Sequence, residues 1–247
     1  MSGHSKWSTI KHKKGALDAK RGRMFTRVIR EITIAARAGG GDPAGNPRLR
    51  TAILSAKEVN MPADNITRAI KKGTGELEGV TMEEVTYEGY GPGGVALIVE
   101  TVTDNKNRTL PEIRHIFAKH GGNMAAANAV AWMFEKKGYF VVESSSFPED
   151  QLLDIALEAG AEDMRQDGSS FEIFTATENF EGVKDALKAK NIPITASEIA
   201  MTPKNTVRTE GPTARRVLSL IDALEEHDDV QHVWANFDID ESELQES

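Results

Sequence analysis

The chain has no cysteine and few aromatic residues, with three Trp, three Tyr and nine Phe in 247 positions. Without cysteine there are no disulfide staples, thiolate zinc sites or cysteine nucleophiles, and the composition suits a reducing compartment. No apolar run approaches the roughly 20 residues that cross a bilayer. The opening Met1-Ser2-Gly3-His4-Ser5-Lys6 is basic and has no apolar stretch behind it, which argues against a secretory signal. A cytoplasmic protein with no membrane partner is expected. Also missing are HExxH and GxSxG frames and a phosphate loop closed by GK[ST]. The histidines stand eight apart (His4, His12) and five apart (His115, His120 and His227, His232). None has the i, i+4 spacing that sets two imidazoles on one helix face. No metal, cofactor or catalytic residue is therefore expected.

What the chain does have is one-sided charge. Residues 1–72 hold sixteen Lys/Arg against five Asp/Glu, a net of +11, and residues 73–247 hold fourteen against thirty-three, a net of −19. A basic end on an acidic molecule attracts polyanions there and repels them elsewhere. Lys11, Lys13, Lys14, Lys20, Arg21, Arg23, Arg27 and Arg30 fall within twenty residues beside one acid, Asp18. With Lys6, Trp7 and His12 they form the expected nucleic-acid-binding set. Cations neutralise phosphates without reading sequence, and an indole offers a face to a base.

Residues 1–16 show no apolar period and read as a flexible basic arm. Three helices follow and make a bundle over 17–73. The first spans about 17–38, with Phe25, Val28, Ile29, Ile32 and Ala36 on one face and Arg23, Arg27, Arg30 and Arg37 off it. The second begins after the Asn46-Pro47 cap, and the third begins near Pro62 and ends at Lys71-Lys72-Gly73. Residues 74–84 read as an acidic linker. Strands are expected at 85–90, 95–103 and 130–134, and Thr109-Leu110-Pro111-Glu112 reads as a capping box that opens a helix. Met124, Trp132, Met133 and Phe134 read as core. Residues 139–202 have a β-α-β-β-α-β order with a hairpin at Asp167-Gly168. Residues 205–238 supply a further helix and strand to 85–134, so the 139–202 unit is expected to be inserted into a second α+β domain. Residues 239–247 read as an acidic tail. The fold class is multidomain α+β: a helical bundle, then two ferredoxin-like α+β domains, the third inserted in the second.

Two strings offer a secondary contact. Tyr87-Glu88-Gly89-Tyr90-Gly91-Pro92-Gly93-Gly94 could bring backbone and rings to a phosphate or base, through Tyr87 and Tyr90, or it could be a tight turn that needs positive φ. Asp104–Thr109 could hold an anion at a helix N-terminus, helped by Lys106 and Arg108, or it could be a capped strand-to-helix loop. A remote alternative is an enzyme acting at the Gly-rich loop.

Several strings converge on one family. Gly3-His4-Ser5-Lys6-Trp7, Lys11-His12-Lys13-Lys14, Asp18-Ala19-Lys20-Arg21-Gly22, Gly39-Gly40-Gly41-Asp42-Pro43, Asn46-Pro47-Arg48-Leu49-Arg50, Tyr87–Gly94 and Asp104–Thr109 resemble the YebC/PmpR family over essentially the whole chain. The mitochondrial translational activator of cytochrome oxidase subunit one is similar. The resemblance implies a helical N-terminal domain followed by two α+β domains, and no catalytic residue carries over. It implies a non-enzymatic regulator of gene expression that binds DNA in transcription control. The alternative it implies is a ribosome-associated translation factor that binds ribosomal RNA. Polymerase or ribosomal proteins would be partners of the acidic domains. The oligomeric state is left open.

Overall fold

The computed structural model describes residues 17–79 and 81–239. Among these, one compact unit comprises 17–130 with 210–233, and a second comprises 131–209 with 234–239. The arm at 1–16 and the tail from 240 onward lie outside the described residues.

The first unit begins with three helices, α1 (Leu17–Gly39), α2 (Pro47–Glu58) and α3 (Ala63–Thr74). Ile32, Ala35 and Ala36 of α1 share a core with Leu49, Ala52 and Ala56 of α2 and Ala69 of α3. The small residues let the helices come close. A Cβ on Gly73 would stand 2.4 Å from the Thr33 carbonyl oxygen and 2.8 Å from the Ala36 Cβ. Asn46 joins two helix ends. Its Oδ1 accepts from the Leu49 N–H at 3.0 Å and so caps α2, while its Nδ2 donates to the carbonyls of Ala35 (2.7 Å) and Gly40 (2.8 Å) at the end of α1.

The same unit continues with β1 (Glu83–Tyr90), β2 (Ala96–Thr103), α4 (Lys106–Lys119) and β3 (Asn123–Met124). It is completed by α7 (Gly211–Glu225) and by residues 230–233 of β9 (Val230–Ala235). The sheet order is β3-β1-β2-β9, and β1 runs antiparallel to β2 from Glu83↔Thr103 to Tyr90↔Ala96. Two strands thus precede the first helix, in the order expected from 85–90 and 95–103, so this part lacks the β-α-β-β-α-β connectivity of the ferredoxin-like class named for it. The expected 74–84 linker also shortens, because Thr74 ends α3 and Glu83 starts β1. Asn105 caps α4 by accepting from the Arg108 N–H at 3.2 Å. Thr109 therefore lies within the helix, and the 109–112 string is not its start. The polar side chain of Asn105 reaches the free N–H groups first, which the later Thr-x-x-Glu pattern concealed.

The second unit holds β4 (Phe134–Glu143), α5 (Glu149–Glu158), β5 (Ala161–Asp167), β6 (Ser170–Thr175), α6 (Phe180–Ala189) and β7 (Ile194–Pro203). Its sheet order is β5-β6-β4-β7, and each neighbouring pair is antiparallel. Phe140, Val142, Phe171 and Ile173 from the strands pack with Leu152, Ala156, Val183 and Leu187 from the helices. Phe134 pairs with Pro203, so the chain enters and leaves this sheet side by side. Short β8 (Val207–Arg208) and β10 (Phe237–Asp238) pair in parallel. The expected strand over 130–134 is instead a 3-10 turn at Ala131–Met133, with β4 starting at Phe134. Trp132, expected in the core, is 64% exposed, and Ile239, assigned to the tail, is buried.

Candidate nucleic-acid interface

Arg23, Arg27 and Arg30 stand at i, i+4 and i+7 on α1 and share one face. That face is not open. Opposite it lies the C-terminal end of α7 and the turn that follows, Glu225-Glu226-His227-Asp228-Asp229. The last carbonyls of a helix have no partner within it and form the negative end of its dipole. Arg27 donates to the Glu225 carbonyl and Arg30 to the Asp228 carbonyl. Arg30 also pairs with Asp229 at 2.9 Å, and Arg23 reaches Glu226 at 3.9 Å. Burial depresses the Arg27 pKa, with the charges of Arg23 and Arg30 acting in the same direction against Glu225 and Asp228.

Asp229 is the hub, with its side chain 2% exposed. Its Oδ2 accepts from Thr109 Oγ1 at 2.6 Å and from Arg108 at 2.7 Å, while Oδ1 faces Arg30. Burial pushes its pKa up, but the hydrogen bonds from Thr109 and Arg108 and the charges of Arg30 and Arg108 outweigh it, so the carboxyl stays below its ordinary value. Arg108 lies also 3.1 Å from Asp104 and 3.8 Å from Glu112, and its pKa is raised, mainly by the hydrogen bond to Asp229. Lys106 pairs with Glu83 at 3.0 Å. Both cations of the 104–109 string are therefore matched by carboxylates.

Glu112, His227 and Asp229 present ligand atoms within 4.8 Å of one another. The oxygens of Asp229 already serve Thr109 and two guanidiniums, and His227 Nε2 lies 3.0 Å from Glu112. Two arginines beside these donors repel a cation, so the donor set does not suit a metal.

The Gly-rich string serves the sheet. Gly89, Gly91 and Gly94 have dinucleotide-fingerprint spacing, but the string joins two antiparallel strands and opens no α-helix to hold a pyrophosphate. Gly93 (φ 74°) and Gly94 (φ 77°) make the left-handed turn. A Cβ on Gly89 would stand 2.6 Å from the Phe117 ring and 2.7 Å from the Asn123 carbonyl oxygen. Tyr87 is buried, and the Tyr90 hydroxyl donates to the Ala129 carbonyl at 3.3 Å. Neither ring is laid open as a stacking platform. Glu88 is buried between them in sequence and accepts from the N–H groups of Asn128 and Val130, both at 2.7 Å.

Lys6, Trp7, Lys11, His12, Lys13 and Lys14 lie outside the described residues. Lys20 and Arg21 fall in α1, but their side chains are outside what the structure describes. Sequence reasoning passed over Lys57 of α2 and Arg68, Lys71 and Lys72 of α3 as site residues. All four are exposed and have no acidic partner among the described residues. Among the described residues, Arg50 donates only to the carbonyls of Pro43 and Ala44. The signal for them was the +11 balance, which the arm and α1 do not account for alone. Arg48, by contrast, is held by Glu31 (2.7 Å) and Glu84 (2.6 Å) and ties the helices to β1.

Two family models match the chain, one described as the TACO1/YebC N-terminal domain over residues 5–76 and one as the TACO1/YebC second and third domain over residues 82–237. The chain is 58% identical to a protein named "Probable transcriptional regulatory protein" from Desulfosudis oleivorans, over 98% of both chains. It is 58% identical to a protein of that description from Desulfotalea psychrophila, over 100% of this chain and 99% of that one. The crystal structure of a conserved hypothetical protein from Aquifex aeolicus matches with a TM-score of 0.83 and 52% identity, over 94% of this chain and 96% of that one.

Proposed function

The chain belongs to the TACO1/YebC family, and from that premise we propose that it is a non-enzymatic, nucleic-acid-binding regulator of gene expression that acts on DNA in transcription control. One observation carries this reading: a +11 balance over residues 1–72 in a chain whose net charge is −8. The names of the relatives agree with it. Phosphate contacts come from Lys6, Lys11, His12, Lys13, Lys14, Lys20 and Arg21, joined by Lys57, Arg68, Lys71 and Lys72. Trp7 stacks on a base. The domain arrangement that fits is a helical domain, an α+β domain made of 83–130 and 210–235, and a further α+β domain inserted between these two parts. No helix of the described residues is long and apolar enough to cross a membrane, in keeping with work in the cytoplasm.

Crosslinking in cells, followed by sequencing of the recovered nucleic acid, tests the proposal. Enrichment of promoter DNA is expected. Recovery of ribosomal RNA instead would replace it with the translational reading, and recovery of neither would end both.

A further inference from the structure

The arginine row of α1 faces acids of its own chain. If α1 serves phosphates, as proposed above, those acids occupy its binding face in the free protein. We propose that the turn Glu225–Asp229 is an internal competitor, holding the Arg23–Arg27–Arg30 row until a phosphodiester backbone displaces it.

Three observations support this. First, the turn offers a series of acceptor oxygens, as a phosphate backbone does: carbonyls and carboxylates in sequence, aimed at guanidiniums one helical turn apart. Arginine pairs with either kind of oxyanion by the same hydrogen-bonding geometry. Second, the turn has supports of its own that do not involve α1. The Asp229 N–H donates to His227 Nδ1 at 3.1 Å, and the Asp229 carbonyl accepts from the Val102 N–H of β2 at 2.8 Å. Its carboxylate keeps Arg108 and Thr109. Releasing Arg30 therefore does not leave Asp229 without a counter-charge, which is the costly outcome for a buried ion. Third, two of the three arginines are held loosely. Arg27 meets a backbone carbonyl, and the contact of Arg23 with Glu226 is long and exposed. Burial and the neighbouring arginines depress Arg27. A polyanion brings a charged phosphate to each arginine of the row, and its binding releases counterions.

The test uses the full chain and two exposed acids, Glu226 and Asp228, whose loss spares the core. Binding is measured for the parent, for E226Q/D228N, for D229N, and for E149Q/D150N. The last pair is exposed at the start of α5 and makes the same charge change in the other unit. The probes are a DNA duplex of about 20 base pairs and an RNA hairpin of similar length. E226Q/D228N is expected to bind about three- to tenfold tighter than E149Q/D150N, and D229N to gain as well if it folds. The probe that gains more identifies the source of the phosphates. Equal affinities for E226Q/D228N and E149Q/D150N, with the parent binding, overturn the competitor and leave the nucleic-acid reading standing. Failure of every protein to bind either probe overturns both.

Discussion

Asp229 shows how one residue can carry a fold contact and a pH response together. Three donors converge on a carboxylate that has almost no contact with water. Burial alone would raise its pKa, but the donors bring it below the ordinary 3.8. Its charge therefore contributes stability that is fully present above that value and is lost as the pH falls below it. D229N is expected to cost about 1–3 kcal/mol at neutral pH, because Arg30 and Arg108 keep their positions and lose their anion. Thermal melts down to about pH 2 should then show a steeper acid loss for the parent than for D229N; parallel curves would show that Asp229 does not titrate with folding. Glu88 poses a similar question at a smaller scale. E88Q keeps the shape, but its amide has one acceptor oxygen in place of two, so one of the two bonds to the 128–130 backbone is lost and the other is weakened. Hydrogen exchange at the Asn128 and Val130 amides should speed up about tenfold, the equivalent of a charged bond lost for a neutral one. Unchanged exchange would mean that the loop is held by something other than Glu88.

At the scale of elements, helix spacing is set by small residues. The α1–α3 contact at Gly73 leaves no room for a methyl group, so G73A should destabilise the chain by about 1–3 kcal/mol in urea titration. A neutral G73A would mean that α3 can slide on α1 at no cost. Much of this level was legible beforehand. The apolar faces of α1, α2 and α3 and the Asn46-Pro47 start of α2 follow from spacing and capping chemistry, and the Asp167-Gly168 turn marked the β5–β6 hairpin. What could not be read were features that depend on remote partners. β3 is two residues long and exists through its pairing with Gly89 and Tyr90. The strand expected over 130–134 failed because an apolar run does not say whether a sheet edge is waiting for it. Glu225–Asp229 and the α1 arginines are about 200 positions apart in sequence, so the row looked free when its composition alone was considered.

For the whole molecule, the side-by-side entry and exit at Phe134 and Pro203 matter most. Replacing residues 135–202 with a short Gly/Ser link is expected to leave a soluble chain, because the two ends are already adjacent. Circular dichroism and salt-dependent binding should show the helical region intact, with the log–log salt slope of the parent. Loss of the fold would show that the second unit is required by the first. One-sided charge was visible from composition, but not its distribution in space. Some of the cations are spent on acids within the chain, and the exposed set on α2 and α3 emerged only once the partners of the others were known.

The joint at Asn46 has a chemical consequence. Asparagines age by ring closure, in which the backbone nitrogen of the next residue attacks the side-chain amide and releases ammonia. The residue after Asn46 is Pro47, which has no N–H to give up, and the Asn46 amide is held by bonds to α1 and α2. The side chain that pins two helices together is thus protected from the usual route by which such a pin would decay. The α1–α2 corner should keep its geometry over the working life of the molecule, and deamidation in aged protein should fall on other asparagines.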